Sequence, residues 1–269
     1  MNRNLFFKEL KRNALSLIIW MSVITLLICL TMSVYRTFIA NQSKVMGMLS
    51  LIPKGMLQFK GISDVGELLS VLGFYSVNNV IYMLVLGSIY AIVLSSNILL
   101  KEEYNKTAEY LISRPLTRSG IFLSKLAVVL VNVFLLNLVS SVAGLTCIEI
   151  VKTAPVSIKA FLILSLYTFL LNILFAAAGL FLSTIIRRPR PITTFCIGLV
   201  LIMYFIYTLS KITEGASKLG YLSPFRYVDL EVTSPGYRLV SGDLAYFLGI
   251  SLILLAVSFR LYSRRDIYT

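Results

Sequence analysis

The sequence predicts an all-α membrane protein of six transmembrane helices, and three observations carry that reading. Of 269 residues, 58% are hydrophobic and 14% charged. The mean hydropathy is +0.86, and apolar runs long enough to cross a bilayer recur along the whole chain. The hydrocarbon core takes about 20 residues of helix at about 1.5 Å each, and a soluble fold of this size does not hide so much apolar surface. The runs are apolar on every face, whereas barrel strands of about 10 residues alternate apolar with polar.

In order, residues 5–12 bring Phe6, Leu10 and Asn13 toward one face and the cations to another, the pattern of a short N-terminal interfacial helix rather than a plain basic flank. The first span, 14–35, exceeds the roughly 7–15 residues of a cleavable signal core and lacks a small-x-small site after it, so it is expected to stay in the membrane. The segment 36–77 carries Met46, Met48, Leu51 and Ile52 around a Pro53-Lys54-Gly55 break, and is expected to hold one or two short helices. The remaining spans are 78–100, 126–148, 160–186, 191–210 and 244–262, the last interrupted only by Arg260, which snorkels to the headgroups. Tyr221, Tyr227 and Tyr237 suit the segment 211–242 to an interface. No internal repeat or soluble domain is visible, so 1–269 reads as a single membrane-spanning domain.

Cations set the orientation. With the N and C termini cytoplasmic, the short inner segments hold fifteen of the 25 Lys and Arg, including Arg187, Arg188 and Arg190 in one tight turn between the fourth and fifth spans. The net charge of +13 is thereby assigned to topology and anionic lipid headgroups, with no nucleic acid implied.

Catalytic chemistry is not written in the chain. It has no histidine, no nucleophile elbow, no paired-cysteine motif and no phosphate-binding Gly-x-x-x-x-Gly-Lys-Ser/Thr loop, so no catalytic, cofactor or metal residue is assigned. Cys29, Cys147 and Cys196 fall in separate spans and read as packing residues. Span centres lack Asp, Glu, Lys and Arg, the usual machinery of ion coupling. Two amides remain near the middle, Asn137 and Asn172, on spans that run in opposite directions. They are candidates either for interhelical hydrogen bonding or for lining a substrate path. Gly87 with Ala91, Ser140 with Gly144, and the run 176–179 permit close helix approach.

The loop 101–118 is the most polar stretch between spans. Tyr104, Ala108, Leu111 and Ile112 recur at helical offsets, with Glu102, Glu103, Lys106 and Glu109 elsewhere, and Pro115 ends the helix at Arg114. Thr117 or Ser119 can cap the next helix. A merely solvated, topology-setting loop is the plainer reading of the periodicity.

These residues carry a resemblance. Glu102 and Glu103, then Thr107, Glu109, Leu111, Ser113, Arg114, Pro115 and Arg118, resemble the Glu-rich, Thr-x-Glu-x-Leu-x-Ser-Arg-Pro-x-x-Arg loop of the type 2 family of ABC-transporter permeases. The stretch Ser223-Pro224-Phe225-Arg226-Tyr227 and the six-span count extend the resemblance over the chain, with Lys106 departing from the glycine frequent there. The resemblance implies a permease subunit of an ATP-driven exporter, located in the cell membrane and paired with a second copy or a related permease. It implies a separately encoded ATPase that holds ATP and Mg, docked on a coupling helix between the second and third spans. Glu102, Glu103, Thr107, Ala108, Glu109, Leu111, Arg114, Pro115 and Arg118 are the expected ATPase contacts. An amphiphile or peptide is the expected cargo, and an ATP-independent carrier or channel is the alternative.

Overall fold

The computed structural model describes residues 2–51, 65–104, 117–152, 154–186, 189–234 and 236–264. Six of its helices are long and apolar enough to cross a membrane, and no strand occurs among the described residues. Five of the six helices extend past their apolar runs at both ends, because hydrogen bonding continues where hydrocarbon stops; the fourth, Ile158–Ile185, ends one residue short of its run.

The first span helix is Arg3–Ala40. No proline or glycine occurs in it, so nothing breaks it between the amphipathic start and the apolar run. The expected interfacial turns are therefore continuous with the span. At roughly 57 Å it exceeds the roughly 30 Å hydrocarbon core and projects beyond it. Asn2 caps it by accepting from Leu5 N at 3.1 Å. Leu5, Glu9, Asn13, Leu17, Ile24, Ile28, Met32 and Tyr35 form one buried seam against the third span, which is helical spacing applied to a single contact face. A short helix, Gln42–Ser50, follows.

The second span belongs to a helical run over 71–104 that is not uniform: Val71–Tyr75 is α, Ser76–Val80 and Met83–Gly87 are π-helical, and Ser88–Tyr104 is α again. Ser76 Oγ donates to Gly73 O at 2.9 Å and Asn78 Nδ2 to Phe74 O at 3.1 Å, so polar side chains occupy carbonyls where the ladder widens. Such π stretches recur at functional positions in helices.

The third span is Arg118–Val151, capped by Thr117, whose Oγ1 accepts from Gly120 N at 3.2 Å. Its far end is satisfied by a cation from the first helix, Arg36 Nη2 donating to Ile150 O at 2.6 Å. Ser157 caps the fourth span, Ile158–Ile185. The fifth and sixth are Pro189–Ile212 and Ser241–Arg264.

Burial orders the bundle. The apolar windows of the second and fourth spans are 72% and 67% buried, against 22%, 28% and 17% for the first, fifth and sixth, so the first pair forms the centre. Gly179 explains how closely that pair packs: a Cβ there would lie 2.5 Å from the Ile92 carbonyl oxygen and would also overlap Ser95 Oγ.

The link between the fifth and sixth spans folds back into the bundle. After the 3-10 turn Glu214–Leu222, Ser223 Oγ donates to Met203 O at 2.7 Å. Met203 lies nine residues before the end of its helix, hence about 13 Å down its axis. Phe225, fully buried, packs at 5.4 Å between centroids on both Phe175 and Tyr204. Irregular backbone at such depth is tolerated when protein surrounds it.

Candidate coupling and transport site

Asn137 and Asn172 meet in the middle of the bundle. Asn172 Nδ2 donates to Asn137 Oδ1 at 3.2 Å, Ser88 Oγ donates to Asn172 Oδ1 at 3.2 Å, and Asn137 Nδ2 donates to Val133 O at 2.8 Å. Gly87 makes room, since a Cβ there would stand 2.8 Å from Asn172 Nδ2. Asn172 is fully buried within this one chain. The geometry is that of a bridge joining the second, third and fourth spans. Beside it, a cavity of about 10 Å³ is lined by Tyr75, Asn137, Ser140, Ser141, Ser165 and Thr168. Ser140 Oγ is buried there without a hydrogen-bond partner among the described residues, and the volume suits one water.

Toward the end where the 101–118 loop attaches, the second span is tied to its neighbours three more times. Tyr90 OH donates to Asn132 Oδ1 at 3.2 Å, Lys125 Nζ donates to Ile98 O at 2.6 Å, and Asn97 Nδ2 donates to Thr193 Oγ1 at 3.0 Å. Lys125 and Asn132 are fully buried. The helix that leads into the loop thus bonds through side chains to the third, fourth and fifth spans. The first helix joins the same end, where Asn2 N donates to Ser124 Oγ at 2.8 Å.

Of the expected coupling residues, Glu102 and Glu103 lie in the last turn of Ser88–Tyr104, and Arg118 is the exposed first residue of Arg118–Val151. Thr107, Ala108, Glu109, Leu111, Arg114 and Pro115, and with them the expected coupling helix, lie outside the described residues. Sequence reasoning missed Lys125, Asn132, Tyr90 and Asn97. The signal was available: Lys125, Asn132 and Ser140 fall on one face of the third span at spacings of seven and eight residues.

Two cysteines separated by 118 positions also come together, Cys29 and Cys147 having their Sγ atoms 3.6 Å apart between the first and third spans. At the end of the bundle away from the loop, Tyr167 OH donates to Asp243 Oδ2 at 3.2 Å and accepts from Val240 N at 3.0 Å. Tyr237 OH donates to Asp229 O at 3.0 Å. Burial first, then the nearby Asp229 carboxylate and Tyr167, raise the Tyr237 phenol above its ordinary value and keep it a donor.

No curated protein matches the sequence. The family model described as ABC-2 family transporter protein matches residues 3–267. That family is the membrane component of ABC transporters, itself not catalytic, and membership implies an ABC ATPase subunit as partner. Six apolar helices and a family match over nearly the whole length agree, and the chain belongs to the ABC-2 family of transporter proteins, as a multi-pass permease of the cell membrane.

Proposed function

We propose that this permease is the membrane half of an ATP-driven exporter of an amphiphilic molecule or peptide. A separate ATPase, which binds ATP and Mg, engages the cytoplasmic loop 101–118, and a second copy or a related permease completes the membrane part. The chain acts as one domain with both termini inside, the side that its short cation-rich segments favour.

The observation that supports this reading is the set of side-chain bonds radiating from the second span. Lys125 to Ile98 O, Tyr90 to Asn132, Asn97 to Thr193 and Ser88 to Asn172 link the helix preceding the loop to three other spans. A push on the loop then displaces a bonded group of helices rather than one frayed end. Packed interfaces of this kind switch between discrete arrangements, which is how a local push becomes a change of access.

Reconstitution tests the proposal. Vesicles containing the permease and its ATPase are expected to move a fluorescent amphiphile from the ATP side only with ATP and Mg present. Equal flux from the permease alone, without nucleotide, makes it a carrier or channel and overturns the proposal.

A further inference from the structure

A cavity of about 610 Å³ opens at the end of the bundle away from the 101–118 loop, within the roughly 300–1,000 Å³ typical of small-molecule sites. Four separate parts of the chain wall it: Tyr35 at the end of the first helix, the turn into the second span around Ser70, the link before the fourth span, and the stretch around Thr233 and Tyr237. Convergence of four elements makes this a built concavity rather than a surface dimple.

Its lining divides by chemistry. Leu69, Leu72, Val156 and Val232 give an apolar side. Both tyrosine hydroxyls spend their protons on backbone carbonyls, Tyr35 on Leu69 O at 2.7 Å and Tyr237 on Asp229 O, and have no second proton to donate to a ligand. Among the described residues, Lys159 is the single charged residue of the lining. Its ammonium has no ion pair or hydrogen bond among the described residues. Three carboxylates among the described residues have partners of their own: Asp229 Oδ1 accepts from Glu231 N at 2.9 Å, Asp243 accepts from Tyr167, and Glu149 pairs with Lys152. The first turn of the fourth span adds the positive end of a 28-residue helix to the same wall.

We propose that this cavity holds the anionic headgroup of an amphiphile, with the ammonium of Lys159 as its counter-charge and the apolar wall receiving the first part of the chain. The inference deepens the export reading by naming an anionic amphiphile as the substrate class and this cavity as a station on the exit side. A cation with no ion pair among the described residues, standing beside an apolar wall, favours a ligand that carries both a negative charge and a tail, over a bare ion or a neutral detergent.

The test measures binding without the ATPase or ATP, so its outcome is separate from that of transport. The intact permease is placed in phosphatidylcholine nanodiscs, and acylation of its lysines by an amine-reactive ester is followed by peptide mass spectrometry. Dodecyl phosphate at ten times its Kd is expected to slow labelling of Lys159 about tenfold, the mass-action factor, while exposed Lys218 is unchanged. Inorganic phosphate and dodecyl maltoside at the same concentration are expected to leave Lys159 unprotected. In the variant Lys159→Gln, whose position is exposed, the Kd for dodecyl phosphate is expected to rise about tenfold or more, as for loss of a charge-assisted bond. Discs containing phosphatidylglycerol separate the two sources of such a headgroup. Protection by that lipid alone assigns the site to a resident lipid, and protection by added dodecyl phosphate assigns it to an entering molecule; either supports the site. Equal protection by inorganic phosphate, equal slowing at Lys218, or no protection at all overturns it.

Discussion

Substituting Gly179 by alanine tests the packing that joins the second and fourth spans. The added Cβ would stand 2.5 Å from the Ile92 carbonyl oxygen and would overlap Ser95 Oγ. Neither neighbour is the loose tip of a long side chain: one is backbone, and the other is a buried hydroxyl already donating to that same carbonyl at 3.1 Å. Ordinary contact needs close to another ångström, so the helices must separate or rotate. Overpacking of this kind costs about 1–3 kcal/mol, roughly 5- to 150-fold in the folded-to-unfolded ratio. Gly198 supplies the control, because a Cβ there meets nothing within 4 Å. Gly198→Ala is expected not to lower stability and to raise it by up to about 1 kcal/mol, because alanine is the better helix former. The assay is the fraction of monodisperse protein left after a heating series in mild detergent, read by size-exclusion chromatography. Gly179→Ala is expected to lose folded protein well before Gly198→Ala. If the two melt together, the close approach of the central pair is wrong.

The Asn137–Asn172 bridge predicts a measurable coupling in a double-mutant cycle of Asn137→Leu and Asn172→Leu. It should be about 0.6 kcal/mol and no more than about 1.7, the range for such bonds in membranes; zero coupling removes the bridge. Oxidation by copper phenanthroline is expected to join Cys29 and Cys147 within one chain, locking the first span to the third, as seen after proteolysis between them on a non-reducing gel. A dominant cross-link between two chains through Cys29 contradicts the pairing. Lys125→Met keeps the volume but removes the bond to Ile98 O. ATP hydrolysis by the complex should persist while export falls, and full export would deny Lys125 a part in transmitting the push.

How far the structure was legible in the sequence depended on range. Each of the six spans could be read because lipid demands a long unbroken apolar run, and the Thr117 cap and the Asn137–Asn172 encounter followed from local chemistry and from helix direction. Other features depend on tertiary placement. The Cys29–Cys147 contact joins positions that no local spacing relates. The inward fold of Ser223-Pro224-Phe225 resembles an ordinary polar link until Phe225 is seen against Phe175 and Tyr204. Lys125 stands at the edge of an apolar run, where a cation in the sequence signals topology alone. In the structure its helix starts seven residues earlier, at Arg118, and the ammonium is sealed against the second span. The π-helical stretches 76–80 and 83–87 have no sequence signature beyond Ser76 and Asn78 bonding back to carbonyls.

Site-specific photo-cross-linking in intact cells asks whether energy enters through the loop between the second and third spans. A photoreactive residue replaces either Glu109, in that loop, or Lys218, in the link between the fifth and sixth spans. A cross-link from position 109 to the ATPase that strengthens or weakens with nucleotide state is expected, with none from position 218. A cross-link to the ATPase from position 218, with silence at position 109, would contradict it.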